Sequence, residues 1–300
     1  MKRLFKFLFR TLLVLIALVA IAALIIYFRG IPSYEITKID LKVESTPERV
    51  QRGQKLAYML CAGCHKDPET GKMIGKHMKD APPEFGTIYS ANITQDKTYG
   101  IGNYTDGELL YLLRTGIKRD GKYAPPYMAK LPNMADEDIY SIIAYLRSND
   151  PSVAATAVAD KQSEPSLLTK FLCTVEFEPL PLPKGKIEFP DTTDQVALGR
   201  YLAHNLDCFT CHSADFKTLN ILEPEKTPGY FAGGNKPLNM EGKVMLTANI
   251  TPDKATGIGN WSEKKFIDAV KYGLKEGEHV NGLRSSIHLQ ISANGTGDQE

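Results

Sequence analysis

Hydrophobic residues are not spread evenly along the 300-residue chain. From Leu12 to Phe28 they form an unbroken run. Wound as a helix, such a run approaches the hydrocarbon thickness of a bilayer. Lys2, Arg3, Lys6 and Arg10 precede it, Arg29 closes it, and no acidic residue lies before residue 30. A helix apolar on every face at this place fits no globular core of this chain. Residues 1–29 are therefore expected to be an uncleaved membrane anchor. The positive-inside rule leaves the N-terminus in the cytoplasm and everything beyond residue 30 exported. The rival is a cleaved signal peptide, for which Ala20-Ile21-Ala22 satisfies the small-x-small pattern, but the apolar run continues past it to Phe28.

Past the anchor the period becomes helical. Thr46 and Pro47 read as an N-cap and first helical residue, with Val50, Gly53, Ala57 and Leu60 on one face. Thr105-Asp106-Gly107-Glu108 reads as a capping box, followed by Leu109, Leu112 and Leu113 facing inward and Gly116 as the stop. Asp136 to Arg147 carries Ile139, Ile142, Ile143 and Leu146 at i, i+3, i+4, i+7. Residues 150–190 hold six prolines and no sustained helical period, and read as a linker. Phe171, Leu172, Phe177 and Phe189 make it too apolar for a free tether, so a strap across the domains is expected. No long stretch alternates as strands do, and the expected fold class is all-α.

The chain also repeats itself. Ala91-Asn92-Ile93-Thr94, Asp96-Lys97 and Gly100-Ile101-Gly102-Asn103 return as Ala248-Asn249-Ile250-Thr251, Asp253-Lys254 and Gly257-Ile258-Gly259-Asn260. Upstream, Gly53, Leu56, Ala57 and Leu60 before Cys61-Ala-Gly-Cys64-His65 match Gly199, Leu202, Ala203 and Leu206 before Cys208-Phe-Thr-Cys211-His212. Residues 46–149 and 191–300 are thus expected to be two copies of one helical unit, the second atypical after residue 284.

Charge changes the picture by exclusion, since 36 Lys and Arg against 35 Asp and Glu leave a net +1, without the basic excess that nucleic acid requires. Five cysteines are too few for a disulfide scaffold of this length. They fall as two tight pairs, each followed at once by histidine, and a stray Cys173 that reads as a buried apolar thiol. Two thiols a helical turn apart add to the two vinyl groups of one haem, and the adjacent imidazole reaches its iron. A zinc site would bring two such pairs onto one metal, whereas here each unit has its own histidine. A thioredoxin-like dithiol would want a βαβ context, and the surroundings are helical. Two covalently bound haem c groups are expected, on Cys61, Cys64 and His65 and on Cys208, Cys211 and His212.

A sixth ligand is also needed if such an iron is to shuttle electrons, and a methionine thioether is the usual one. Met128, in Pro125-Pro126-Tyr127-Met128, is preferred, because the double proline fixes an extended loop. Met134 directly precedes a helix and reads as a packing staple, and Met59, Met73 and Met78 read as core. His77, His204 and His279 read as ordinary polar or half-buried residues.

On these motifs the chain resembles membrane-anchored dihaem c-type cytochromes built from two class I cytochrome c domains, over about residues 46–149 and 191–284. The resemblance implies that the first and last helices of a domain cross at a glycine facing an aromatic, here Gly53 and Tyr145. It also implies polar and aromatic residues near the haem propionates, for which Tyr104 and Trp261 occupy equivalent positions, packing as aromatic staples being the other reading. In the second unit the position equivalent to Met128 is Ser285, and no methionine follows Met245. Residues 289–300 are mostly small and polar, so the domain reads as truncated or replaced at its end. His288 as substitute ligand, an open site, and a domain too incomplete to hold haem well all remain open for the second iron. The function expected is a periplasmic, inner-membrane electron carrier, taking electrons from a dehydrogenase partner and delivering them to a cytochrome or a terminal oxidase. The rival is a dihaem peroxidase with an open second iron, which needs a distal acid-base group such as His288 or Glu276. A haem-based gas sensor is the third reading, but no signalling domain follows.

Overall fold

The structure, a computed structural model, describes residues 2–239, 241–275 and 278–279. Its helices are α1 (Lys2–Arg29), α2 (Pro47–Leu60), α3 (Ala62–His65), α4 (Asp106–Thr115), α5 (Asp136–Leu146), α6 (Leu167–Val175), α7 (Gln195–Asn205), α8 (Cys208–Cys211) and α9 (Glu263–Tyr272). Among the described residues, strand is limited to two antiparallel pairs of two-residue segments, β1 (Gly86–Thr87) with β2 (Glu164–Pro165) and β3 (Leu274–Lys275) with β4 (Glu278–His279). Without alternating stretches the chain has nothing to build a larger sheet from.

Helix α1 buries no residue and is the one described helix long and apolar enough to cross a membrane. The helices beyond it start and stop where side chains satisfy their free backbone groups. Thr46 Oγ1 accepts from Arg49 N at 3.3 Å with Pro47 in the first turn. Thr105 and Glu108 close a reciprocal capping box at 3.1 and 2.8 Å, and Gly116 ends α4 at φ 82°, the left-handed region that favours glycine.

The core of the first half forms where α2 crosses α5. A Cβ on Gly53 would lie 1.8 Å from the Ser141 carbonyl oxygen and 2.9 Å from Tyr145 Cβ, so only glycine admits this approach. Ile139, Ile142, Ile143 and Tyr145 are fully buried there with Leu56, Ala57 and Leu109. Each such large apolar side chain contributes about 1.5–3 kcal/mol.

On α4 the inward face differs from the sequence expectation. Leu110 and Tyr111 are buried alongside Leu109, while Leu112 and Leu113 are half-buried. The reason is the irregular arm before α2, which covers the back of α4: Val43 N donates to Asp106 Oδ2 at 2.9 Å, and a Cβ on Gly107 would meet Ile39 O at 2.0 Å. A hydrophobic period cannot report a face covered by non-periodic chain.

The linker also differs, because α6 is a helix within a segment expected to have none. Ser166 caps it, accepting from Thr169 N at 3.2 Å, and Leu168, Phe171, Leu172 and Val175 do follow i, i+3, i+4, i+7 between flanking prolines. The rest of the linker lies along the first half. Asp160 accepts from Asn92 N at 2.6 Å, Leu180 N donates to Thr115 O at 3.1 Å, and Asp136 N donates to Ile187 O at 2.9 Å.

Helices α7 and α9 differ from their first-half counterparts in burial. Asn205 alone is buried on α7 and no residue is buried on α9. No described atom approaches within 4 Å of a Cβ built on Gly199, the counterpart of Gly53. The halves meet through Tyr201, whose hydroxyl donates to Asp138 Oδ2 at 2.6 Å and accepts from Ala135 N at 3.0 Å.

Candidate functional site

Helix α2 ends at Cys61, and α3 turns once more from Ala62, with His65 N donating to Cys61 O at 2.8 Å. That single turn sets Cys61, Cys64 and His65 side by side. The two thiols are not joined to each other. Burial pushes Cys61 up to about 12, with Cys64 adding to the rise, and pushes Cys64 up to about 11. Both therefore stay neutral thiols at physiological pH.

The imidazole is the more telling group. His65 Nδ1 lies 2.7 Å from Ala91 O. A carbonyl only accepts, so Nδ1 carries the proton and Nε2 keeps its lone pair. Burial lowers the ring's pKa and holds it neutral. This is how a metal-binding histidine is oriented from behind.

The second half repeats the arrangement. His212 N donates to Cys208 O at 3.0 Å across α8, and His212 Nδ1 donates to Ala248 O at 2.8 Å. Cys208 and Cys211 are unpaired and pushed up by burial to about 11 and about 12. Histidine and carbonyl are 26 residues apart in the first half and 36 in the second, yet the bond is the same. Just before Cys208, Asp207 adopts a left-handed conformation at φ 67°, accepts from Thr210 Oγ1, and is pushed up by burial to about 6.

The duplicated segments explain how each carbonyl is held. Asn92 Oδ1 accepts from Thr94 N and Thr94 Oγ1 at 2.9 and 2.7 Å, and Asn249 Oδ1 accepts from Thr251 N and Oγ1 at the same two distances. Ile101 N donates to Thr94 O and Ile258 N to Thr251 O, both at 2.9 Å. A Cβ on Gly100 or on Gly257 would each lie 2.3 Å from the corresponding threonine carbonyl. Ala91 and Ala248 open these turns, and their role was hidden in the sequence because a backbone carbonyl leaves no trace in residue type. The repeat itself was the signal.

Met128 is half-buried in a short segment fixed at both ends to α4. Ala124 N donates to Gly116 O and Leu131 N to Leu113 O, both at 2.7 Å. Between them Met128 N donates to Pro125 O at 3.0 Å, and Lys130 Nζ donates to the same oxygen at 2.8 Å. Arg114, buried and unremarked in the sequence, reaches Leu131 O, Pro132 O and Met134 O at 2.7, 3.1 and 2.6 Å through Nη1 and Asp136 at 2.5 Å through Nη2. Met134 and Met73 are fully buried in the core.

The remaining candidates lie elsewhere. His204 Nε2 is 2.5 Å from Tyr230 Oη, within rings of Phe209 and Phe231. His77 packs on Tyr89 at 4.9 Å. Cys173 is buried and its thiol pushed up to about 11. Tyr104 lies under Arg119 and Trp261 under Lys265, at 5.3 and 5.0 Å. Glu276, Ser285 and His288 lie outside the described residues, as does the 289–300 ending, and only the backbone of His279 is described.

The donor set fits a covalently tethered haem at each motif: two unpaired thiols one turn apart and an adjacent imidazole with Nε2 as its free donor. Among the described residues no three His, Cys, Asp or Glu side chains converge as a cage for a bare metal ion. Residues 50–150 match the Cytochrome c family. The chain is 31% identical to the fructose dehydrogenase cytochrome subunit of Gluconobacter japonicus over 82% of this chain and 52% of that protein. It is 30% identical to the cytochrome c subunit of the quinone alcohol dehydrogenase of Gluconacetobacter polyoxogenes over 78% of this chain and 50% of that one. It is 28% identical to the diheme cytochrome c-type protein of Cereibacter sphaeroides over 77% and 78%. The chain spans about half the length of the dehydrogenase cytochrome subunits it matches.

Proposed function

Since residues 50–150 form a cytochrome c domain, we propose that the chain is a dihaem electron carrier held in the bacterial inner membrane by α1, with both haem units in the periplasm. The observation that carries this is the pair of equivalent sites, each joining unpaired thiols to a histidine whose Nδ1 is bonded to an alanine carbonyl. Haem c at each motif supplies a one-electron iron(III)/iron(II) couple.

The chain's own residues attach, orient and shield. Cys61 and Cys64, and Cys208 and Cys211, provide the thioether links. His65 and His212 would each hold the haem iron through Nε2, and the bond from Nδ1 keeps the ring from turning and raises its basicity. Met128 would hold the haem iron of the first unit through its thioether, from a segment that Arg114 ties to α4 and that the Lys130–Pro125 bond closes on itself. A thioether there favours the reduced state. The second unit, with Ser285 at the matching position, is proposed to be open or weakly ligated.

The electron donor is proposed to be a dehydrogenase, as the names of the relatives indicate, and the acceptor a cytochrome or terminal oxidase. Pyridine haemochrome content and intact mass of the mature full-length protein test the haem count, two per chain being expected. One haem would remove the second unit from the reading, and none would overturn it. Ferric optical and EPR spectra test the ligation: one low-spin His/Met centre plus one different centre is expected, and two His/Met centres would refute the open second iron.

A further inference from the structure

Helix α6 is built with its apolar side outward. At 100° per residue, Leu167, Phe171, Val175 and Leu168 share an arc of roughly a hundred degrees, and they are 43%, 44%, 55% and 44% exposed. The opposite face carries Thr169 and Cys173, both 1% exposed. Thr169 Oγ1 donates to Phe85 O at 2.8 Å, and Ser166 Oγ donates to Glu84 O at 2.6 Å. A helix lying on a water-exposed surface carries the reverse arrangement, polar outside and apolar toward the body. Here small and hydroxyl-bearing residues hold the body, and four large apolar side chains face away from it.

What lies beside this face identifies its occupant. Helix α6 packs against α1. Lys170 Nζ donates to Tyr27 O at 3.2 Å and sits 4.1 Å from the centre of the Tyr27 ring. Ala23 and Ile26 are half-buried, whereas the other described residues of α1 are exposed. The contact thus falls at the end of the candidate span, where Tyr27 and Phe28 form the aromatic edge that seats at a membrane–water boundary. Lys170 and Thr174 line one edge of the apolar arc, as polar residues do on helices lying in an interface.

We infer that α6 is an interfacial helix, with Leu167, Leu168, Phe171 and Val175 seated in the lipid bilayer beside the exit of α1. The inference rests on the anchor reading of α1 given above. Its consequence is orientation. A single span leaves the exported body free to swivel, whereas a second contact through α6 fixes which side faces the membrane. The buried face of Thr169 and Cys173 carries that constraint into the first unit, through the bonds of Thr169 Oγ1 to Phe85 O and of Ser166 Oγ to Glu84 O.

The test uses the full-length holoprotein in phosphatidylethanolamine/phosphatidylglycerol nanodiscs containing a phospholipid with a photoactivatable diazirine near the top of one acyl chain, with labelled peptides mapped by mass spectrometry. Label is expected on both the end of α1 and the α6 peptide. In the Leu167→Gln, Leu168→Gln, Phe171→Gln, Val175→Gln variant the α6 label is lost and the α1 label stays. Label on α1 without label on wild-type α6 overturns the inference, leaves the anchor intact, and assigns the face to a protein partner or a second copy. Absence of label on both overturns the anchor reading and this inference with it.

Discussion

A histidine whose Nδ1–H is bonded to a backbone carbonyl has one nitrogen left to offer, and this chain builds that situation twice, at His65 with Ala91 O and at His212 with Ala248 O. Both histidines were legible from their place after the cysteine pairs. The carbonyls were legible only as members of a repeat, because the reason for the repeat lies in backbone geometry. Met128 and Met134 separate at this scale too. Met128→Leu is expected to abolish the near-infrared band of a methionine-ligated ferric haem and to lower the first unit's potential. Met134→Leu, a volume-conserving change in the core, is expected to leave that band intact and cost under about 1.5 kcal/mol. Retention of the band in Met128→Leu would remove Met128 from the ligand set. Asp207 gives a pH signature. Its folded value of about 6 lies above the ordinary aspartate value near 4, so between these the folded chain keeps a proton that the unfolded chain has lost. The contribution of Asp207 to stability is therefore greatest on the acid side, falls as pH rises from about 4 to about 6, and is then level. Asp207→Asn suits the same left-handed backbone and is expected to remove this slope, raising stability near pH 7 by about 1–2 kcal/mol relative to wild type. Urea unfolding at pH 4.5 and 7 checks it, and equal slopes in the two proteins would contradict it.

Helix boundaries were readable wherever a side chain does the capping, as at Thr46, Thr105 with Glu108, and Gly116, since these local bonds are written in residue type. Element α6 was missed because prolines on both sides obscured a nine-residue period, and α4 was half-read because irregular chain covers its second face. The two repeat glycines now make opposite predictions. Gly53→Ala places a methyl 1.8 Å from Ser141 O, so α2 and α5 must separate. Loss of the core contact between them is expected to cost about 3 kcal/mol or more. Gly199→Ala meets no described atom within 4 Å and lies in a helix, so it is expected to be neutral or to stabilise by up to about 1 kcal/mol. Chemical denaturation of both variants measures this. A large loss in Gly199→Ala would mean that α7 is closed by a packed helix after all.

For the molecule as a whole, the two halves are joined through the N-terminus of α5, where Tyr201 bridges Asp138 and the Ala135 amide. Tyr201→Phe leaves that amide without its acceptor and removes the donor at Asp138 Oδ2, while Arg52 still donates to Oδ1, and is expected to cost about 1–2 kcal/mol. Faster hydrogen exchange at Ala135 specifically, with unchanged exchange at the α2–α5 crossing, is the accompanying readout, and unaltered exchange at Ala135 would argue against the bridge. Nothing in the sequence pairs these residues, since they sit in different copies of the repeat and share no pattern. The sequence by itself determined the membrane-length helix, the mostly helical character, the duplication, and the two Cys-x-x-Cys-His motifs. Each of these rests on spacing along the chain, and spacing survives in one dimension. Tertiary structure alone decided which carbonyl holds each histidine, which arginine pins the Met128 segment, that α6 turns its apolar side outward, and that α7 meets no described partner at Gly199. Those outcomes depend on what lies across a gap in space, and a linear order of residues does not record distance between segments far apart along it.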